Sequence, residues 1–292
     1  MKLTLQTAIG NYGHTIPLKN GSVVSDKFDM EHIEVSPTPM IFRRMVRDLE
    51  FDVSEMALAT HICSRHEGKT FTALPIPITR SFPLHALVCK EDSSIRDATD
   101  LKGKNIGVRS YTFTPGTWIR AILQDVYHVM PSDSSWIISG DEHVAEYSAP
   151  PYVTYSENSD LLEMLESGEI DAAIYSDTLE GKRLRPVIEN AKQVQADWQN
   201  QHKIDPISHI LVVKNDLLKN HPWLSTELFT VYSEARDIYS KSQEGNTPVN
   251  IPYGFENEKH QLEMFVSFMR DQQLIPDIFN VSKLFPDNTL QL

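Results

Sequence analysis

Two stretches of this chain, far apart in the sequence, follow the same local design. Residues 167–177 read SGEIDAAIYSD and residues 47–55 read RDLEFDVSE, and each places an aspartate, Asp171 or Asp52, between an amphipathic segment and a short apolar run. A serine follows in both copies. The repeat predicts two subdomains of similar construction, for which 292 residues are enough, because domains typically have about 100 to 200 residues.

Strand-like and helix-like segments alternate along most of the chain. Residues 105–108 are typical of a strand, a polar loop follows, and the residues after Thr114 have the apolar spacing of a helix, with Thr114 as its predicted cap and Pro115 in its first turn. Residues 221–242 predict a longer helix with one apolar face, formed by Leu228, Tyr232 and Ala235. This alternation favours an α/β fold with parallel sheets, in which ligands bind at the carboxyl ends of strands.

Two segments are candidates for chain crossings between the lobes. They are residues 87–92 (LVCKED) and residues 195–206 (QADWQNQHKIDP), the second of which lacks any clear periodicity. We therefore expect a discontinuous first lobe, residues 1–89 and 211–292, and a second lobe, residues 90–210. Two crossings imply a hinge with a central cleft.

Charge and hydropathy exclude several classes of partner. The formal net charge of −13 repels polyphosphates, and without a Lys/Arg-rich run a nucleic-acid partner is not expected. No stretch approaches the about 20 apolar residues that span a bilayer, so we expect no membrane partner. The first residues resemble a strand more than an export signal, and Cys63 and Cys89 lie in apolar contexts typical of reduced thiols. These features predict a cytoplasmic protein.

The order of these segments resembles the type 2 periplasmic-binding-protein fold, which has two α/β lobes around one cleft. Within it, four stretches resemble the 4,5-dihydroxyphthalate decarboxylase group: residues 42–58, 100–123, 131–140 and 205–213. The resemblance implies a cofactor-independent decarboxylase that binds a hydroxylated aromatic dicarboxylate in the cleft. The alternative is a solute-binding protein that holds a small carboxylate or a heterocycle without turnover, like transport receptors and thiamine-precursor proteins of the same fold.

Three residues are candidates for the chemistry of such a decarboxylase, which needs a general acid to protonate a ring carbon. His209 lies just before an apolar strand in a Pro-Ile-x-His segment that matches the group, and an imidazole titrates near neutral pH. A structural role beside the strand is the competing interpretation. His85 and Glu55 are the second candidates, Glu55 because it follows a predicted buried strand, where desolvation raises the pKa of a carboxyl.

Substrate binding is predicted at four places in the chain. A helix that begins at Thr114 offers free N–H groups to a carboxylate, although the cap could also serve its helix alone. Arg80, at the end of a strand, suits a planar carboxylate, and a surface arginine is the alternative. The predicted contacts are Arg80, Tyr111, Thr112, Thr114, Trp118, Ser176, Asp177 and His14, with Ser176 and Asp177 at the end of the repeated strand.

A metal site is not expected. His61, Cys63 and His66 lie close together in the sequence, but residues two apart on a helix point to different faces, and the chain offers no further ligand cluster. The sequence contains no dinucleotide-binding or phosphate-binding glycine motif, so the consistent prediction is chemistry without a cofactor. Whether the chain forms a homo-oligomer is left open.

Overall fold

A computed structural model describes residues 2–243 and 251–292 of the chain. The strands are β1 (Leu3–Ala8), β2 (Phe28–His32), β3 (Val53–Ala57), β4 (Phe71–Thr79), β5 (Leu87–Lys90), β6 (Asn105–Val108), β7 (Ser135–Ile138), β8 (Val153–Tyr155), β9 (Ala172–Ile174), β10 (Leu184–Pro186) and β11 (His209–Lys214). The helices are α1 (Ile16–Lys19), α2 (Pro39–Asp48), α3 (Leu58–His66), α4 (Thr114–Tyr127), α5 (Leu161–Ser167), α6 (Ala191–His202), α7 (Asn215–Asn220), α8 (Leu224–Ser242) and α9 (Phe255–Asp271).

The chain divides into two compact units, each built on its own sheet. Unit 1 comprises Met1–Arg80, Ile207–Glu263 and Phe279–Leu292, and unit 2 comprises Ser81–Pro206 and Met264–Ile278. The unit 1 sheet has the strand order β2-β1-β3-β11-β4, and the unit 2 sheet has the order β10-β5-β9-β6-β7-β8. Both sheets are mixed, because β11 runs antiparallel to β3 and β4, and β5 runs antiparallel to β9 and β10.

The unit boundaries differ from the lobes predicted from the sequence. Residues 81–89 belong to unit 2, since β5 pairs with β9 and β10, and residues 207–210 belong to unit 1, since β11 begins at His209. Residues 264–278 also belong to unit 2, so the chain passes between the units four times, where two crossings were predicted. Residues 195–206, predicted as an irregular crossing, are mostly helix α6.

The two aspartates of the repeated stretch perform the same backbone task in the two sheets. Asp52 lies just before β3, where its N–H donates to the carbonyl of Gln6 (2.9 Å) and its Oδ2 accepts the N–H of Gln6 (3.0 Å). Asp171 lies just before β9 and makes the same pair of bonds with Asn105, at 2.8 and 2.9 Å. Each aspartate thereby fixes a strand against its parallel neighbour, β1 or β6. The repeat in the sequence is a repeat in the structure.

Each unit has a hydrophobic core against its sheet. In unit 1, α8 packs its predicted face inward, because Leu228, Tyr232 and Ala235 are all fully buried. In unit 2, Val88 and Ala173 from the sheet pack with residues of α5. Cys63 and Cys89 are buried free thiols, as predicted. Across the described part of the chain, none of the helices combines the length and the apolar character needed to cross a membrane.

Candidate active site

Several polar side chains of unit 1 meet at one edge of its sheet. Strands β1, β3 and β4 end at this edge, and the antiparallel strand β11 begins there, with His209 opposite Ala57 of β3 and Thr79 of β4. The edge therefore brings together the loop after β1, the end of β3 and the start of β11. Two of the predicted catalytic residues, Glu55 and His209, lie here in direct contact.

Glu55 is a carboxylate inside a strand whose other residues are small or apolar. Its side chain is 0% exposed, and every residue of β3 is buried. Its Oε1 accepts hydrogen bonds from His209 Nδ1 (2.5 Å) and from the Tyr12 hydroxyl (2.7 Å), while Oε2 accepts the N–H of Gly10 (2.8 Å). A buried charge is stable only when it is paired in this way.

The pKa of Glu55 reflects two opposing effects. Burial raises it, but the hydrogen bond and the positive charge of His209, together with the bonds from Tyr12 and Gly10, outweigh burial and hold the pKa below its ordinary value. Desolvation acts in the expected direction, but three donors converge on the carboxylate and the net shift of the pKa is downward. Glu55 is therefore the ionised partner of His209 at neutral pH.

His209 is held by Glu55 on one side and is partly exposed to solvent. The side chain is 20% exposed, and Phe42 of α2 packs edge-on against the imidazole at 4.8 Å between ring centroids. Since Nδ1 donates to Glu55, Nε2 is the nitrogen left for another molecule, and no group within residues 2–243 and 251–292 hydrogen-bonds to it. This arrangement of carboxylate, imidazole and open nitrogen is typical of general acid–base catalysis.

His14 and Tyr12 lie in the loop after β1. The two rings stack at 5.8 Å, and His14 is 5% exposed. Burial lowers the pKa of His14 to about 4 although the charge of Glu55 and a backbone bond to Ile78 oppose the shift, so His14 is neutral at neutral pH. Tyr12 was missed by the sequence analysis. Its one signal is its position in the turn GNYGHT, where two glycines flank a tyrosine at the end of a strand.

Arg80 lies at the end of β4, as predicted, with its guanidinium directed to partners inside unit 1. Nη2 donates to Glu258 Oε1 (2.5 Å) and to the carbonyl of Pro252 (3.2 Å). The side chains of Arg80 and Glu258 are 9% and 1% exposed. The guanidinium that was predicted to bind a substrate carboxylate is thus paired with a protein carboxylate. Substrate binding by Arg80 stays a prediction.

Four predicted binding residues lie in and before α4 of unit 2. Helix α4 begins at Thr114, but its cap is Phe113, so Thr114 is not the capping residue predicted. The N–H groups of Tyr111 (2.5 Å) and Thr112 (3.2 Å) donate to the buried carboxylate of Glu142. A protein carboxylate therefore occupies the N–H groups of this loop.

The other groups around α4 are also buried inside unit 2. Arg120 is fully buried, lies 4.0 Å from the ring of Tyr111 and donates to Gln272 Oε1 at 2.7 Å. Trp118 is fully buried and packs against Phe265 at 4.6 Å between ring centroids. The contacts of Tyr111, Thr112, Thr114 and Trp118 with a substrate stay predictions.

The remaining predicted residues are exposed on unit 2. His85 lies in a single 3-10 turn, Leu84–Ala86, with its side chain exposed. Ser176 and Asp177 are exposed and lie beyond β9, which ends at Ile174, three residues before the end of the repeated stretch. Among the residues the structure describes, no group of three or more His, Cys, Asp and Glu side chains is arranged to hold a metal ion.

The fold of the chain is shared with solved proteins of the periplasmic-binding-protein class. The aliphatic sulphonate binding protein SsuA from Escherichia coli has a TM-score of 0.61 at 12% identity, over 100% of both chains. The desulfurization enzyme DSZB has a TM-score of 0.56 at 15% identity, over 99% of this chain and 98% of that one. The chain therefore has the two-lobed type 2 periplasmic-binding-protein-like fold, which hosts both binding proteins and enzymes.

Sequence relatives identify the family within this class. A 4,5-dihydroxyphthalate decarboxylase from Pseudomonas putida is 32% identical over 182 residues, which cover 59% of this chain and 70% of that protein. Another from Comamonas testosteroni is 28% identical over 274 residues, covering 86% and 81%. No protein-family model matches the chain. The protein belongs to the 4,5-dihydroxyphthalate decarboxylase family.

Proposed function

We propose that the protein is a cofactor-independent carboxy-lyase that removes one carboxylate from 4,5-dihydroxyphthalate or a closely similar hydroxylated aromatic dicarboxylate. The observation that carries the proposal is the Glu55–His209 pair, with one imidazole nitrogen open, in a chain of this family. The names of both sequence relatives support the substrate class.

The reaction needs one proton and no external electrons. In 4,5-dihydroxyphthalate each carboxylate has a hydroxyl group para to it, which raises the electron density at the carbon that bears the carboxylate. A proton from the acid forms a C–H bond at that carbon and gives a dearomatised intermediate. The bond to the carboxylate then breaks, its electron pair restores the aromatic ring, and carbon dioxide leaves with 3,4-dihydroxybenzoate as the product. A general acid is therefore sufficient.

His209 is the acid in this proposal. Its proton-donating form is the imidazolium, which donates Nδ1–H to Glu55 and carries the transferable proton on Nε2. The buried carboxylate accepts Nδ1–H and fixes the orientation of the ring, while Phe42 packs against its edge. After transfer, the neutral imidazole keeps Nδ1–H on Glu55 and takes a new proton at Nε2 from solvent.

The first experiment measures carbon dioxide release and thermal shift with a panel of aromatic acids. We expect turnover of 4,5-dihydroxyphthalate and none of phthalate, which has the same carboxylates without the para hydroxyl groups. A thermal shift without carbon dioxide from any acid between pH 5 and pH 9 would instead indicate a solute-binding protein.

The second experiment assigns the acid. We expect His209→Gln to lower kcat by about 10²-fold or more, since general acid catalysis contributes about 10² to 10⁴. His66→Gln is the matched control, because His66 is an exposed histidine at the end of α3. His85→Gln tests the second candidate. Full activity in His209→Gln would remove His209 as the proton donor.

A further inference from the structure

Two donors share one oxygen of Glu55. His209 Nδ1 lies 2.5 Å and the Tyr12 hydroxyl 2.7 Å from Oε1. The N–H of Gly10 occupies Oε2, at 2.8 Å. The carboxylate is therefore restrained at both oxygens, and its rotation would break at least one of these bonds. Hydrogen bonds to an ionised group are the stronger class, so this restraint is substantial.

The loop after β1 is built so that the Tyr12 hydroxyl reaches Glu55. A Cβ atom at Gly10 would lie 2.6 Å from the Tyr12 ring, so only a glycine leaves room for the ring to cross the backbone there. The hydroxyl of Thr15 accepts a hydrogen bond from the N–H of Tyr12 (3.0 Å) and donates one to the carbonyl of Gly10 (2.9 Å). These two bonds close the turn. The Gly10 N–H and the Tyr12 hydroxyl are thus presented to Glu55 by one rigid turn.

We propose that Tyr12, together with the N–H of Gly10, is the positioning group that holds Glu55 as the acceptor of His209 Nδ1–H and so directs His209 Nε2 toward the substrate. The role rests on the proposed function, in which His209 protonates the ring. Tyr12 acts through Glu55 and does not itself exchange a proton with the substrate.

The protonation of the titratable groups around Glu55 supports this role for Tyr12. They are His209 on β11, Tyr12 and His14 in the loop after β1, and Tyr232 on α8. Burial and the charge of Glu55 raise the pKa of Tyr12 far above its ordinary value, so its hydroxyl remains a donor throughout the working pH range. His14 is neutral there, and the pKa of the buried Tyr232 is also raised. Tyr12 is therefore a permanent donor to the carboxylate.

Tyr12→Phe tests the inference, because it removes the hydroxyl and keeps the ring. We expect kcat to fall about tenfold with KM within about twofold of wild type, the loss expected for one hydrogen bond to a charged group that positions the catalyst. The acid limb of the pH profile of kcat/KM should move to higher pH, because the lost bond no longer lowers the pKa of Glu55. Gly10→Ala should produce the same shift by displacing Tyr12. Tyr239→Phe is the control, since Tyr239 packs on the same loop at Gly13 without a bond to Glu55.

A second readout needs no substrate. The proton of the short His209 Nδ1–Glu55 bond should give a strongly downfield proton NMR resonance that disappears in Glu55→Gln. In Tyr12→Phe we expect this resonance to move further downfield, because Oε1 then has one donor and is more basic. If wild type releases no carbon dioxide from any acid, the proposed function fails while the resonance still decides the role of Tyr12. An unchanged resonance and an unchanged acid limb in Tyr12→Phe would overturn the inference.

Discussion

Replacing Glu55 by glutamine removes a buried charge while keeping the shape of the side chain. The carboxylate is 0% exposed and accepts three hydrogen bonds, from His209, Tyr12 and Gly10. A glutamine has one acceptor oxygen, so its NH₂ group must face either the N–H of Gly10 or the two donors on the other side. In the first orientation two N–H groups meet, and in the second His209 must move its proton from Nδ1 to Nε2 and the Tyr12 hydroxyl must turn to accept.

The stability loss follows from two opposing contributions. Each hydrogen bond to a charged group contributes about 1.5 to 3 kcal/mol, and breaking one side of a buried ion pair costs about 3 to 5 kcal/mol. Relief of the desolvation penalty for the carboxylate offsets part of this loss. We expect Glu55→Gln to lower the free energy of unfolding by about 2 to 4 kcal/mol at pH 7, and to lower kcat by about 10²-fold because His209 loses its anionic partner.

The stability lost in Glu55→Gln depends on pH. The pKa of Glu55 in the folded protein is below its ordinary value of 4.5, so its contribution to stability is fully present well above pH 4.5 and is lost as the pH falls through the folded pKa. The stability difference between wild type and Glu55→Gln should therefore be constant near pH 7 and shrink as the pH falls below about 5.

Urea denaturation at several pH values, together with carbon dioxide release, measures both effects. Glu258→Gln is a suitable comparison, because Glu258 is equally buried and ion-paired in unit 1 but does not contact His209. We expect it to lose comparable stability at pH 7 and to keep the downfield His209 resonance. The reasoning is refuted if Glu55→Gln keeps kcat within about twofold of wild type, since general acid catalysis accounts for far more, or if its stability deficit persists undiminished at low pH.

Two further predictions concern stability alone. His61 is buried with no partner among the described residues for either ring nitrogen, and burial lowers its pKa to about 3, so only the unfolded chain binds this proton between about pH 3 and pH 6.5. His61→Leu should therefore raise the free energy of unfolding, by more at pH 5 than at pH 7. The difference between wild type and variant should change by up to about 1.4 kcal/mol per pH unit in this range. A variant that is less stable than wild type at both pH values would contradict this. Asp52→Asn and Asp171→Asn, which lose the ion pairs with Lys214 and Lys104, serve as references for Asp52→Ala and Asp171→Ala. Each alanine variant should cost about 1 kcal/mol more than its asparagine variant by urea denaturation, since it also frees the N–H of Gln6 or Asn105, and equal stability within either pair of variants would contradict this.

The sequence was most informative where local pattern and burial coincide. Side-chain spacing predicts the apolar face of α8 and the alternation of strands and helices. The same apolar side chains of α8 are buried in the core of unit 1. His209 was identified from the Pro-Ile-x-His segment that resembles the family, and Glu55 from its place beside a predicted buried strand, although the structure places Glu55 inside that strand. The sequence does not predict that these two residues are in contact, because they are separated by 154 positions.

Other features depended on partners that no local pattern reveals. Arg80 was predicted to bind a substrate carboxylate, and the structure adds an ion pair between Arg80 and Glu258, which lies 178 residues later. The N–H groups of Tyr111 and Thr112 are occupied by Glu142, about 30 residues along the chain. Helix α6 was missed because its residues are mostly polar and only Ala191 and Trp198 are buried, so periodicity was weak. Each of these results was decided by tertiary contacts, which override propensity and motif.

The two copies of the repeated stretch share one structural feature and differ at one buried position. Asp52 and Asp171 brace their strands in the same way, and three residues later each copy has a buried side chain, Glu55 in unit 1 and Ile174 in unit 2. An isoleucine satisfies such a position by burial alone, whereas a glutamate there costs desolvation energy that His209 and its other donors must offset. A desolvation cost that is present in one copy and absent from the other is expected at functional sites. The repeat therefore predicts two similar sheets, and the departure from it at Glu55 supports the proposed active site in unit 1.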